Sequence, residues 1–202
     1  MRVSVTDIEQ FRYYRDAEEM DLQTLLKRLR REEAPSEAMA LGSAFHAFLE
    51  RAVDGEHAKV EIDGYTFSFR GELAVALPSV REVRAIRTMQ FDGDSVTVSG
   101  IVDAINATTV YDHKLTSQWD AEKYADSYQW RIYLWTLAKS RFVYNVFTRG
   151  DLKGSEVEIR ACDILPLYSY PQMDADVERL IRDYLHFARS HMPEKFEQRA
   201  AA

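Results

Sequence analysis

An α/β fold, a central mixed and mostly antiparallel sheet flanked by helices, follows from three observations in order along the chain. Residues 4–55 carry helix caps and apolar residues at spacings of three and four, the stretch that follows alternates with period two around Asp-Gly pairs, and helix periodicity then returns on either side of a last hairpin. The first helix is expected from "SVTDIEQF", where Thr6 can cap and Glu9 can reciprocate, and it runs to about Asp16. A second is expected over Ala17 to Arg31. A third opens at Pro35 and Ser36, carries Met39, Phe45, Phe48, Leu49 and Ala52, and ends at Gly55. On it His46 and Glu50 share a face, since residues four apart on a helix are neighbours.

Asp63-Gly64 and Asp92-Gly93 each separate two β-prone runs, the signature of tight hairpins. "IVDAINATTVYDHKL" makes the next strand pair. Trp119 to Ser140 reads as one helix, with Tyr124, Tyr128, Ile132 and Trp135 on a stripe. A further hairpin turns around Gly150 and Gly154, and Asp174 to Ser190 forms an amphipathic helix. The organisation predicted is one domain over 1–202, with a helical N-terminal part at about 4–55, a core at about 56–165 and a C-terminal helix at about 174–190, and frayed ends at "EQRAAA".

Composition narrows the function classes. No run approaches the ~20 apolar residues of a membrane span, and "MRVSVTDIEQ" lacks the basic and apolar regions of a secretory signal, so a soluble cytoplasmic protein without membrane contact is expected. The single cysteine, Cys162, excludes an intrachain disulfide and a four-cysteine zinc or iron–sulfur site. A net charge of -7 argues against indiscriminate attraction to nucleic acid, though basic residues cluster at "LKRLRRE" and at Arg81, Arg84 and Arg87.

The chemistry concentrates in "GIVDAINATTVYDHKLTS". With the turn centred on Ala107-Thr108, paired residue numbers sum to 215, so Asp103 faces Asp112 and Lys114 points to the same side. Opposed like charges at a Cβ separation of about 5 Å need a cation between them. Lys114 supplies part of that compensation and a hard divalent cation, Mg²⁺ or Mn²⁺, would supply the rest, with the His113 backbone carbonyl as a further oxygen donor. A metal-held water, two carboxylates and a lysine suit phosphodiester hydrolysis. The alternative is an exposed hairpin with scattered charges: Asp151-Leu152-Lys153 has the same Asp-x-Lys spacing without an opposing acid.

"SGIVDAI" followed by "VYDHKLTS" resembles the active-site core of the PD-(D/E)XK nuclease superfamily, its RecB-like exonuclease branch in particular. "LGSAFHAFLE" looks like that branch's upstream helix motif, "SYQWRIYLW" like its Gln-x-x-x-Tyr helix, and "SVTDIEQFRYYRD" is similar to its N-terminal segment. The resemblance spans about residues 4 to 137 and implies a restriction-endonuclease-like core. It implies His46, Asp103 and Asp112 as metal ligands and Lys114 as the catalytic lysine, with Gln129 and Tyr133 supporting the site or contacting DNA. Asp112 stands where Glu is common in the superfamily, and the branch's iron–sulfur cysteines are missing.

The function expected is a Mg²⁺-dependent DNA exonuclease in recombination or processing, with DNA as substrate. Its partners would be a recombination protein or a helicase, because no Walker-type loop is present, and a homo-oligomer would explain processivity. Two alternatives stand beside it: a non-catalytic nucleic-acid-binding or scaffolding subunit, and a structure-specific or restriction-type endonuclease.

Overall fold

The computed structural model describes residues 1–17, 20–51, 59–71, 75 and 77–197. In chain order the elements are β1 (Arg2–Ser4), α1 (Val5–Asp16), α2 (Leu22–Leu29), α3 (Glu37–Arg51), β2 (Lys59–Ile62), β3 (Tyr65–Phe69), β4 (Val80–Phe91), β5 (Asp94–Ile105), β6 (Thr109–Thr116), α4 (Ala121–Asp126), α5 (Gln129–Leu137), β7 (Arg141–Arg149), β8 (Glu156–Tyr168), α6 (Met173–His191) and α7 (Glu194–Glu197). The strands form one eight-stranded sheet in the order β1-β5-β6-β7-β8-β3-β2, with β4 also paired to β5. The sheet is more parallel than the sequence suggests, because β1 pairs with β5, β3 with β8 and β6 with β7 in parallel.

Local chemistry fixes the element ends. Ser4, not Thr6, caps α1 by accepting the Asp7 N–H at 3.0 Å. Glu9 is thereby freed from the expected capping box and instead pairs with Arg12 and accepts the Tyr128 N–H at 2.8 Å. Asp21 caps α2, which is shorter at both ends than expected, and Ser36 caps α3 through the Met39 N–H. The expected end of α3 near Gly55 lies outside the described residues, as does Ala52. Asp63-Gly64 and Asp92-Gly93 have positive φ at both residues and close β2–β3 and β4–β5 as type I′ turns. The helix expected over Trp119 to Ser140 is two: α4 ends at Asp126, and α5 starts afresh after Tyr128, whose N–H is the one Glu9 accepts.

The sheet separates two cores. On one face α1, α2, α5 and α6 pack with Val96, Val98 and Val102 of β5 around Trp135 and Tyr184. On the other, α3 lays Leu41, Phe45 and Phe48 against Phe67, Phe147 and Ile159. Among the described residues, no helix is long and apolar enough to cross a membrane.

Two interruptions in the ladder position everything that follows. β4 and β5 pair from Phe91↔Asp94 to Val80↔Ile105 except at Glu82 and Asp103, and Glu82 takes a left-handed φ of 51° within a strand. Because each strand spends one residue there, the register resumes unchanged but the alternation of faces flips. Val83 and Val102 point into the first core, whereas Arg81 donates to the Leu49 and Glu50 carbonyls of α3, and Ala104 joins Tyr111 and Val143 in a separate cluster. The second interruption is a fork: β5 and β6 pair only at Ala104↔Tyr111 and Ile105↔Val110, and then part.

Gly100 lies where α5 closes on the fork. A Cβ there would sit 2.7 Å from Tyr133 Cε1 and 2.9 Å from both its hydroxyl and Val5 Cγ2. Gly100→Ala is therefore expected to destabilise the fold by about 1–3 kcal/mol, the usual cost of overpacking, read as a lowered denaturation midpoint with an unchanged m-value.

Candidate active site

Asp103 stands at the fork. The register predicted from the sequence holds, with Ala104↔Tyr111 and Ile105↔Val110 both summing to 215 and Asn106 Oδ1 accepting the Thr108 and Thr109 N–H groups in the turn. It stops one residue short of Asp103 and Asp112, so these two do not face each other across a ladder. Instead the Asp103 carboxylate replaces the missing strand partner: Oδ2 accepts the His113 N–H at 2.5 Å, and Oδ1 accepts from His46 Nδ1 on α3 at 3.1 Å. Burial pushes the Asp103 carboxyl up, but the His46 and His113 contacts outweigh it, so the group stays ionised below the usual aspartate range. Burial likewise works against a charged His46, and the bond and charge of Asp103 overcome it, raising its pKa.

Asp112 and Lys114 lie two apart on β6 and form an ion pair of 2.7 Å, with the Asp112 side chain 5% exposed. Burial raises the Asp112 pKa beyond what Lys114 offsets. Burial also acts to lower the Lys114 pKa, but the Asp112 charge and hydrogen bond reverse the shift, so Lys114 is held as a cation at neutral pH. Gln129 Nε2 on α5 lies 3.4 Å from Asp112 Oδ1. The site therefore draws on four elements: α3, β5, β6 and α5. Glu82 borders it, and the Asp103 and Glu50 charges add to a desolvation that raises its carboxyl.

Tyr133 is buried on α5, and its hydroxyl donates to the Ile101 carbonyl at 2.8 Å, bracing β5 two residues before Asp103, a supporting place in the site. Several residues have other places than the sequence suggests. Arg81, Arg84 and Arg87 form no common patch. Arg81 is held by the Pro78, Leu49 and Glu50 carbonyls, and Arg87 lies over the Trp135 ring while donating to its carbonyl at 2.6 Å. Only Arg84 of the three is exposed. Cys162 is half-buried, and burial pushes its thiol up to about 12, which removes thiolate chemistry.

Two neighbours escape a reading of the sequence. Asn145 on β7 donates through Nδ2 to His113 Nδ1 at 3.2 Å, a buried contact that turns the His113 side chain away from the site while its backbone stays in it. A lone Asn within "FVYNVF" is the available signal, since a polar residue inside a buried strand needs a partner. Glu82 gives no signal, as its left-handed backbone is imposed by the paired interruption.

Two carboxylates, an imidazole and a backbone carbonyl are donors of the kind Mg²⁺ or Mn²⁺ accepts. His46 spends Nδ1 on Asp103, an arrangement that orients a ring for metal binding through Nε2. The donors fit in kind rather than as a ready cage: among the described residues, no three His, Cys, Asp or Glu side chains gather closely enough to enclose an ion.

Neither protein-family models nor curated protein sequences match the chain. Solved structures do. SSO0001 aligns over 92% of this chain and 76% of its own, with a TM-score of 0.54 and 18% identity. LHK-Exo in complex with dAMP aligns over 98% of this chain and 93% of its own, with a TM-score of 0.51 and 13% identity. The chain shares their fold. A second structure of LHK-Exo, an alkaline exonuclease from Laribacter hongkongensis, aligns over 99% and 93% at 11% identity with a TM-score of 0.49. The likeness is one of architecture, a mixed α/β sheet flanked by helices.

The buried His113 ring yields a pH prediction. Burial lowers its pKa from 6.5 to about 4, so the folded protein prefers the neutral ring. Its contribution is intact above pH 6.5 and is lost as pH falls toward 4, by up to about 3 kcal/mol at 1.36 kcal/mol per unit. Urea denaturation across that window should show the decline, and His113→Asn should flatten it.

Proposed function

We propose that this chain is a Mg²⁺-dependent deoxyribonuclease that hydrolyses phosphodiester bonds, acting as an exonuclease in DNA recombination or processing. The observation that carries the reading is the meeting of His46, Asp103, Asp112 and Lys114 from three separate elements at one fork in the sheet. The fold neighbour LHK-Exo, an exonuclease, was captured with dAMP, a nucleoside monophosphate of the type an exonuclease releases. His46, Asp103, Asp112 and the His113 carbonyl would hold the cation, which when bound supplies Lewis acidity and an acidified water.

The protein's own groups then divide the work. Lys114, paired with Asp112 at 2.7 Å, offsets negative charge developing on the phosphoryl oxygens. Asp103 holds α3 and β6 at a fixed spacing through His46 and the His113 N–H. Gln129 steadies the remaining Asp112 oxygen, and Tyr133 fixes the backbone of β5, so neither needs to touch substrate.

End-labelled linear and covalently closed circular DNA, incubated with Mg²⁺, Mn²⁺ or EDTA, tests the reading. Metal-dependent loss of linear DNA with circles spared is expected; cutting of closed circles would make the enzyme an endonuclease, and binding without cleavage would make it a scaffold. Lys114→Gln should lower kcat by about 10²–10³-fold, the usual cost of losing one electrostatic stabiliser. It should also cost about 3–5 kcal/mol of stability by leaving Asp112 buried and unpaired. Adding Asp112→Asn should restore most of that stability and none of the activity, which separates catalysis from folding.

A further inference from the structure

Beyond Asp103 the β4–β5 ribbon turns one face away from the α5 and α6 core. Its register sets Arg84 opposite Ile101, Ile86 opposite Ser99, Thr88 opposite Thr97 and Gln90 opposite Ser95. Ile86 and Ile101 are 51% and 49% exposed, unusual for large aliphatic side chains, and Arg84, Thr88 and Gln90 are exposed with them. β1 adds Arg2, which lies beside Thr97 and donates through Nε to Ser99 Oγ at 3.1 Å. The Thr88 and Thr97 hydroxyls are 2.9 Å apart. Among the described residues, the face from Ser95 to Ile101 thus holds two arginines and no carboxylate, in a chain whose net charge is -7. Carboxylates border it at both ends: Glu82 and Asp103 at the candidate site, and Asp92 and Asp94 in the distal turn, where Arg182 and Arg189 of α6 pair with them.

We propose that this ribbon face is the track along which the nucleic-acid substrate leaves the candidate active site, with Arg84 and Arg2 on phosphates about four nucleotides apart, the hydroxyls on phosphate and sugar oxygens, and Ile86 and Ile101 against sugars or bases. The proposal rests on the nuclease reading above. Three features select nucleic acid over a protein partner: the local positive charge against the chain's overall sign, the row of hydroxyl donors, and continuity with the site, since Ile101 is both on the track and held by Tyr133. The geometry sets a length scale. At 3.3–3.4 Å per strand residue, Ile101, opposite Arg84, lies about 7 Å along β5 from Asp103 and Thr97, beside Arg2, about 20 Å. The second distance equals about six nucleotides of duplex at 3.4 Å each. Arg84 therefore serves every substrate, and Arg2 only those longer than about six nucleotides.

The test compares wild type with Arg84→Gln, Arg2→Gln and the double variant, all surface changes whose folding is checked by thermal denaturation. Affinity for a fluorescent 20-nucleotide duplex is measured in EDTA across a salt series. Cleavage is followed on 4- and 20-nucleotide DNAs, with bis(p-nitrophenyl) phosphate as a small diester that cannot reach the track. The double variant should bind at least tenfold more weakly, with its slope of log K against log salt reduced by about two, one for each phosphate that no arginine neutralises any longer. Arg2→Gln should slow the 20-mer and spare the 4-mer, and the small diester should be hydrolysed equally by all. Equal affinity and salt slope in wild type and double variant would overturn the proposal. So would unchanged DNA affinity in Ile86→Ser accompanied by a change of oligomeric state, which would make the face an interface between copies. If wild type hydrolyses neither DNA nor the small diester, the nuclease reading fails on its own, while the affinity comparison still decides the track.

Discussion

The Asp103 carboxylate stands in for a strand. Where β5 and β6 part, backbone groups that a continuous ladder would pair need other partners, because a buried N–H or C=O left alone costs about as much as a lost hydrogen bond. Asp103 accepts the His113 N–H, and Tyr133 donates to the Ile101 carbonyl. A carboxylate recruited to repair a gap in the sheet is thereby fixed in place, ionised and within reach of His46 on α3. The paired interruption at Glu82 and Asp103 completes the arrangement by flipping the ribbon's alternation, so that Arg81 turns to the α3 carbonyls and Ala104 to Tyr111 and Val143 where the ribbon meets the site.

The second constraint is the buried ion pair of Asp112 and Lys114. Two charges removed from water gain little net stability over an apolar pair, but each becomes costly once the other is removed. A pair of this kind does little as a brace. Its lysine stays cationic because Asp112 outweighs burial, and Gln129 and the aromatic Tyr144 lie beside the pair. Charge is held in a fixed direction before any substrate arrives, which is what electrostatic stabilisation of a phosphoryl group requires.

Much of this is legible in the residues. Asp-Gly turns specify their hairpins because few sequences accept two successive positive φ angles, and the 215 register follows from the Asn106 turn. Lys114 lies beside Asp112 because residues two apart on a strand share a face, whereas the meeting of His46 with Asp103 follows from the family resemblance and from no local periodicity. What is not legible is tertiary. The expected facing of Asp103 and Asp112 fails because the fork depends on β6 preferring β7 along its whole length, which no local pattern announces. Arg81 and Arg87 look like a basic patch until α3 and α5 offer their terminal carbonyls. β1 is too short to show a period, and Ser4 and Thr6 are equally good caps until the strand before them fixes where the helix begins.

The most direct measurement of the central claim is calorimetric titration of Mn²⁺ into the wild-type chain and into Asp103→Asn, at a pH where both are folded. If Asp103 organises a metal-dependent site, the wild type binds the ion with defined stoichiometry and the variant loses at least tenfold in affinity while keeping its fold. Equal binding by the two proteins, or none by the wild type, would contradict the account and leave Asp103 as a repair of the sheet and nothing more.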